Sequence, residues 1–308
     1  MIHRLKTNVC SAVFALFLLM PVLIQAGDAP TAGKTLRVLK IGNSFSQNAT
    51  EFLPQLAASQ GHTLILGRAE IGGCSFKKHW ELAEKNEANT DDPEGKPYSQ
   101  KSLKQMLQSD KWDIVTVQQF SLHAPDLSTY RPYANKLADY IRLHAPQAKI
   151  WIHETWAYRA DDKLFKDKMT QAQMYQSIHE AYATIAKEIQ AERIMPVATA
   201  FQNARKDPRF TPDLEKDVDP KAFKYPQLPR QVHELCIGWS WDKAKPPALR
   251  FDPKHCNTAG KYLGALVWHE TLLGEVKLPA FVPPDLPAAD AEVLQEIARK
   301  TVREGLKP

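Results

Sequence analysis

Hydrophobic positions along the chain alternate between two rhythms. Short β-branched and apolar runs read as strands: Leu36 to Ile41 (LRVLKI), Thr63 to Ala69 (TLILGRA), Asp113 to Val117 (DIVTV), Lys149 to His153 (KIWIH) and Arg193 to Val197 (RIMPV). Helical spacing runs through Glu51 to Gln60, Phe76 to Asn86, Ser102 to Ser109, Arg131 to His144, Thr170 to Gln190 and Thr258 to Leu273. The alternation predicts an α/β fold, a mainly parallel sheet of five strands with helices on both faces. Glu87 to Pro97 (EANTDDPEGKP) reads as a surface loop. The longer Pro-rich stretch Lys206 to Arg250, which carries Trp239 and Trp241, reads as a functional or disordered loop. Beyond Gly274, KLPAFVPPDLP leads to a last helix near Ala288 to Arg303, expected to pack back on the body. No repeat or Gly/Ser-rich linker divides the chain, so residues 27–308 read as one domain, with a core over 35–275 and an extension over 276–308.

The N-terminal segment changes this picture. His3, Arg4 and Lys6 precede an apolar run from Ala12 to Ile24, and a small Ala26 stands before Gly27, the pattern of a secretory signal peptide over residues 1–26. The run has 13 residues (24 − 12 + 1), short of the ~18 a membrane span needs, so a secreted or periplasmic protein with no stable membrane insertion is expected. Composition excludes other classes. With 44% hydrophobic and 24% charged residues over 308 positions, the chain is neither disordered nor fibrous. Forty basic against 35 acidic residues give +5, too mild and too dispersed for a nucleic-acid partner. Three cysteines, Cys74, Cys236 and Cys256, lie beyond the leader, and an oxidising compartment allows them one disulfide at most. Cys236 with Cys256 is the expected pair, bracketing the segment that leads to His255, with Cys74 left free; Cys74 with Cys256 is the rival.

Candidate chemistry sits at the two ends of the alternating region. The first strand runs into Gly42-Asn43-Ser44-Phe45-Ser46, and an open parallel sheet has its ligand crevice at the carboxyl ends of its strands. Ser44 there is a candidate nucleophile; its competing role is to cap the next helix. A serine nucleophile needs a base within hydrogen-bond reach and a carboxylate to orient that base. His255 has Asp252 three positions before it, on what reads as a turn leading into the Thr258 helix.

These two motifs together resemble the SGNH (GDSL-like) hydrolases and esterases. The likeness spans roughly residues 35–275, with Asn43 where that superfamily usually has Asp. It implies a three-layer α/β/α, flavodoxin-like fold and a Ser44-His255-Asp252 triad. It further implies an oxyanion hole made by the Ser44 N–H, a glycine N–H of Ile71-Gly72-Gly73-Cys74-Ser75 and a side-chain amide after the third strand. At that third position Gln118-Gln119 replaces the usual Gly-x-Asn-Asp. Gln118, continuing the strand into the crevice, is the expected donor. Asn43, Gln119 and Trp156 are expected to line the substrate site.

Four His-Glu pairs, at His153, His179, His233 and His269, lack the second histidine of a zinc-protease helix, and no Cys-x-x-Cys or phosphate-binding glycine loop is present. No metal or cofactor is therefore expected. Asn48-Ala49-Thr50 fits a glycosylation acceptor but lies beside the candidate nucleophile. The expected function is hydrolysis of a small-molecule or glycan ester, such as an acetyl group on a carbohydrate. A lipase, thioesterase or acyltransferase would use the same triad, and a non-catalytic glycan-binding protein could keep the same fold.

Overall fold

In the computed structural model, Met1, residues 33–166 and residues 169–305 are described. The leader expected over residues 1–26 thus falls, Met1 apart, outside the described residues. The chain from Gly33 onward clusters as one compact unit.

Five parallel strands form the central sheet: β1 (Thr35–Gly42), β2 (Thr63–Glu70), β3 (Ile114–Val117), β4 (Lys149–His153) and β5 (Arg193–Met195), in the order β2-β1-β3-β4-β5. The central strand β3 (IVTV) is buried at every position, as expected of a strand covered on both faces. The helices are α1 (Ser44–Ala49), α2 (Leu53–Ser59), α3 (Phe76–Ala88), α4 (Leu103–Gln108), α5 (Tyr133–His144), α6 (Gln171–Glu188), α7 (Val197–Lys206), α8 (Thr258–Leu272) and α9 (Ala288–Gly305). Helices α3, α4 and α5 pack together as one layer, while α8 gathers α1, α2, α7 and α9 into the other. Helix α8 is buried at nearly every position from Gly260 to Leu272, so it is apolar all round rather than on one stripe. The last helix, α9, docks on α7 and α8.

Two parts of the chain depart from the sequence reading. The fifth strand stops at Met195; Pro196 caps α7, so Val197 is helical. The stretch read as an irregular loop holds short paired strands, β6 (Asp213–Leu214) with β7 (Gln231–Val232), and a hairpin, β8 (Cys236–Trp241) with β9 (Leu249–Cys256). Asp252 and His255 therefore lie on a strand, not on a turn.

Strand order places the crevice. The chain leaves β1 to one side to form β2, then crosses back to form β3 on the other side of β1. The carboxyl end of β1 is thus a topological switch point, the usual ligand position in an open α/β sheet.

Candidate active site

Ser44 is the first residue of α1, and the cap of that helix is its neighbour: Asn43 Oδ1 accepts from the Phe45 N–H at 3.0 Å. Ser44 Oγ is left free to face His255, and it lies 2.9 Å from Nε2. On the far side of the ring, Nδ1 is 2.7 Å from Asp252 Oδ2. An ionised carboxylate only accepts, so the ring proton resides on Nδ1 and Nε2 is left to accept from the serine hydroxyl.

The Asp-x-x-His spacing works here through a bulge in β9. Cys236 pairs with Cys256, and Gly238 pairs with Asp252, so Pro253, Lys254 and His255 loop out of the ladder. Bulges of this kind re-aim side chains. Asp252 Oδ1 accepts from the N–H groups of Lys254 (3.1 Å) and His255 (3.0 Å), which leaves Oδ2 for the ring. Proline, which cannot donate to a ladder, sits inside the bulge where no ladder bond is required.

Three neighbours brace the bulge from behind. The Arg159 N–H donates to the Pro253 carbonyl at 2.9 Å, Trp156 Nε1 donates to the Lys254 carbonyl at 2.8 Å, and the Cys256 N–H donates to Asn48 Oδ1 at 2.7 Å. Gly238, at φ +63°, lets Arg159 run beneath the hairpin; a Cβ there would meet its Nη1 at 1.7 Å. Asn257 caps α8 and also donates to the Glu234 carbonyl at 2.6 Å, fixing the helix that follows the histidine.

Beneath α1, Ser46 Oγ donates to Glu70 Oε1 at 2.7 Å, and Lys40 Nζ lies 3.1 Å from the same oxygen. Burial lowers the Lys40 pKa against the opposing pull of Glu70. Below Gly42, the buried His79 ring bridges the Gly42 carbonyl (3.0 Å) and the Tyr98 hydroxyl (2.7 Å). Burial drives its pKa down to about 4, although the bond to Gly42 works the other way, so His79 is a neutral prop.

The expected crevice-lining residues require correction. Asn43, Gln119 and Trp156 are 0 or 1% exposed. Asn43 Nδ2 donates to the Cys74 carbonyl at 2.9 Å, tying the nucleophile turn to the glycine turn. Gln119 Oε1 accepts from the N–H groups of Phe76 (3.0 Å) and Phe120 (2.9 Å), and its Nε2 donates to the Thr129 carbonyl (3.0 Å). Trp156 is stacked between Phe45 and Phe201, with ring centroids 4.2 and 4.7 Å away, so it couples α1 to the bulge instead of facing a ligand. Of the other tryptophans, Trp239 lines a cleft and Trp241 packs edge-on against Tyr225.

Gln118 also differs from its expected role. Its Nε2 donates to Asn43 Oδ1 at 2.7 Å, and its side chain fills the space a Cβ at Gly42 would occupy, 2.7 Å from Gln118 Cγ. The amide therefore supports the nucleophile turn rather than aiming at a reacting oxygen. Gln118→Ala should lower Tm and reduce kcat by only about tenfold, since a neutral buried hydrogen bond is lost at one remove from the chemistry. A loss of ~10²-fold or more at unchanged Tm would instead mark a direct oxyanion donor. Among the described residues, the N–H groups of Ser44, Gly72 and Gly73 find no acceptor, and both glycines are exposed, so these donors are available to a ligand.

The expected Cys236–Cys256 disulfide is corrected as well: all three thiols are free and buried. Cys236 and Cys256 are direct cross-strand neighbours, yet Cys236 Sγ lies 3.8 Å from the Lys254 carbonyl and 3.8 Å from Arg205 Nη2. Burial pushes both thiols well up, and that of Cys74 up to about 12. Among the described residues, no cluster of three His, Cys, Asp or Glu is placed to hold a metal ion.

Burial raises the Asp252 pKa, but the bonds from the His255 ring and from the N–H groups of His255 and Lys254 outweigh it and bring the group from 3.8 to about 2. A depressed carboxylate stabilises the fold above its unfolded value, and that contribution disappears as pH falls from 3.8 towards about 2. Melting curves should therefore show the Tm gap between the wild type and Asp252→Asn narrowing over that acid window. A gap independent of pH would mean that the carboxylate is not held in this way.

Residues 37–220 match the family described as "Domain of unknown function (DUF4886)". A DUF4886 family protein from Bacteroides uniformis has a similar crystal structure, at TM-score 0.68 and 25% identity, covering 89% of this chain and 96% of that one. A protein of Slackia heliotrinireducens, provisionally called an SGNH hydrolase, aligns at TM-score 0.46 and 24% identity, over 77% of this chain and 99% of that one. A Geobacillus acetyl-xylooligosaccharide esterase variant aligns at TM-score 0.37 and 13% identity, over 77% and 94% respectively. No curated protein matches the chain.

Proposed function

We propose, of a chain that belongs to the DUF4886 family and joins Ser44, His255 and Asp252 by two hydrogen bonds, that it is a serine carboxylic-ester hydrolase. The relay of 2.9 and 2.7 Å, which joins Ser44 at the switch point of the sheet to the braced bulge of β9, is the observation that carries this reading.

Ser44 Oγ attacks the ester carbonyl carbon while its proton passes to His255 Nε2. The carbonyl oxygen becomes an oxyanion, accepting from the Ser44 N–H and a glycine N–H of the Gly72-Gly73 turn. Collapse breaks the bond to the alcohol oxygen, which takes the proton from Nε2. A water molecule then loses a proton to Nε2 as it attacks the acyl-serine; the acid departs and Ser44 Oγ recovers its proton. Asp252 stays ionised throughout and stabilises the imidazolium.

An acetyl ester of a carbohydrate is the substrate proposed, a reading supported by the export that the leader implies and by the pocket beside the relay. The basic-then-apolar leader supports export to the cell exterior or periplasm. An intact relay favours an enzyme over a glycan-binding module of the same fold. The test is hydrolysis of p-nitrophenyl acetate together with covalent labelling by a fluorophosphonate mapped to Ser44. A chain that shows neither reaction is not a serine esterase.

A further inference from the structure

Next to the relay, a pocket of about 340 Å³ opens between the β9 bulge and the loop after β3. Its lining includes neighbours of both halves of the reaction centre. Lys254 stands between Asp252 and His255, and the Phe120 ring lies 3.7 Å from where a Gly73 Cβ would be. Phe120, Leu122, Tyr158 and Leu164 give it apolar and aromatic walls. Leu122, 51% exposed, is a large apolar side chain left open at its edge.

The polar groups of this pocket are unequal. Asp162 is 9% exposed, and its Oδ1 accepts from the Leu164 N–H at 2.7 Å, so one of its oxygens is already engaged. Among the described residues, Lys163 and Lys254 form no ion pair, and the neighbouring carboxylates of Asp161 and Asp252 are engaged by Arg159 and His255. Both main-chain polar groups of Lys254 are engaged, its N–H with Asp252 Oδ1 and its carbonyl with Trp156 Nε1, so the residue is fixed and only its side chain can turn to a ligand. An unpaired cation over aromatic walls recognises a flat or cyclic body that carries an anion. Asp162 and Lys163 also line a larger neighbouring cleft of about 1150 Å³, bordered by Trp239 and Phe251, so a longer molecule can continue there.

Resting on the acetyl-ester reading above, we infer that this pocket takes the alcohol portion of the substrate, and that this portion is a ring bearing a carboxylate held by Lys254. An acetyl group is far too small to fill the pocket, which leaves the departing alcohol as its occupant.

The test compares 4-acetoxybenzoate with its neutral methyl ester, two acetyl esters that differ in the charge on the ring. The ratio of their kcat/KM values in the wild type is the reference, because the two leaving groups differ in intrinsic reactivity. Lys254→Met should cut that ratio about tenfold against the anion, Lys254→Glu should cut it further, and Lys254→Arg should keep it near the wild-type value. A ratio unmoved by both Lys254→Met and Lys254→Glu overturns the inference and leaves the hydrolase reading standing. A readout independent of catalysis separates the two failures: 4-hydroxybenzoate is titrated calorimetrically into Ser44→Ala, with and without Lys254→Met. Binding that weakens about tenfold with Lys254→Met, where the wild type hydrolyses neither ester, would uphold the anion pocket and sink the hydrolase reading. Equal or absent binding in the two proteins sinks the pocket.

Discussion

Ser44→Ala is expected to lose ester hydrolysis by about 10⁴-fold or more while melting as the wild type does. The two halves of that expectation come from one feature: among the described residues, the Ser44 hydroxyl is bonded only to His255 Nε2. A serine at the start of a helix usually serves as its cap, and removing a cap costs ~1 kcal/mol. Here Asn43 holds the cap, so the Ser44 side chain contributes almost nothing to α1. Its neighbour two positions on gives the contrast. Ser46 is 1% exposed, with its Oγ donating to Glu70 at 2.7 Å and lying 3.0 Å from the Asn43 carbonyl, so Ser46→Ala should lower Tm and spare most of the rate. Progress curves on p-nitrophenyl acetate and melts of the two variants check the pair. Full activity in Ser44→Ala, or loss of fluorophosphonate labelling only in Ser46→Ala, would place the nucleophile elsewhere.

The parts of this molecule that were legible from sequence are those in which one residue pattern has one physical meaning. Runs such as DIVTV and KIWIH, apolar on both faces, can only be buried strands, and β3 and β4 follow them closely. Gly-Asn-Ser after the first strand and Asp-x-x-His near the end identified three residues that the structure joins into one relay. Short strands with mixed polarity were harder. LRFDPKHC reads as a turn because proline and three charged residues interrupt it, and its pairing with CIGWSW is set by a partner strand that local pattern does not name. The polar residues around the crevice were misread for another reason. An amide beside a nucleophile turn can face a ligand or hold the turn, and composition does not distinguish the two. Asn43, supported by Gln118, holds the nucleophile turn, and Gln119 holds the loop after β3 to the start of α3; Asn43 and Gln119 accept from main-chain N–H groups that no sheet ladder satisfies. Arg159, which braces the bulge, carried no motif, and Asn48 carried only that of a glycosylation acceptor; the folded contacts alone expose their bracing role.

Asp252→Asn should preserve the hairpin yet lose most of the rate, ~10⁴-fold in kcat. The reason lies in which oxygen does what. Oδ1 accepts two main-chain N–H groups, so an asparagine keeps the bulge only if its carbonyl oxygen takes that place. Its NH₂ then replaces Oδ2, 2.7 Å from His255 Nδ1. A donor there forces Nδ1 to accept, so the ring proton moves to Nε2 and points at Ser44. The base is then blocked by its own proton. His255→Ala removes the base outright and should be at least as damaging. The double variant should be little worse than the poorer single one, because members of a relay act as a unit. The measurement is kcat for the three proteins on one activated ester, with Tm read alongside. Losses that multiply independently would mean that Asp252 and His255 serve separate functions. A nearly normal Asp252→Asn enzyme would mean that His255 works as the base without its carboxylate, and that the bulge geometry alone fixes the ring.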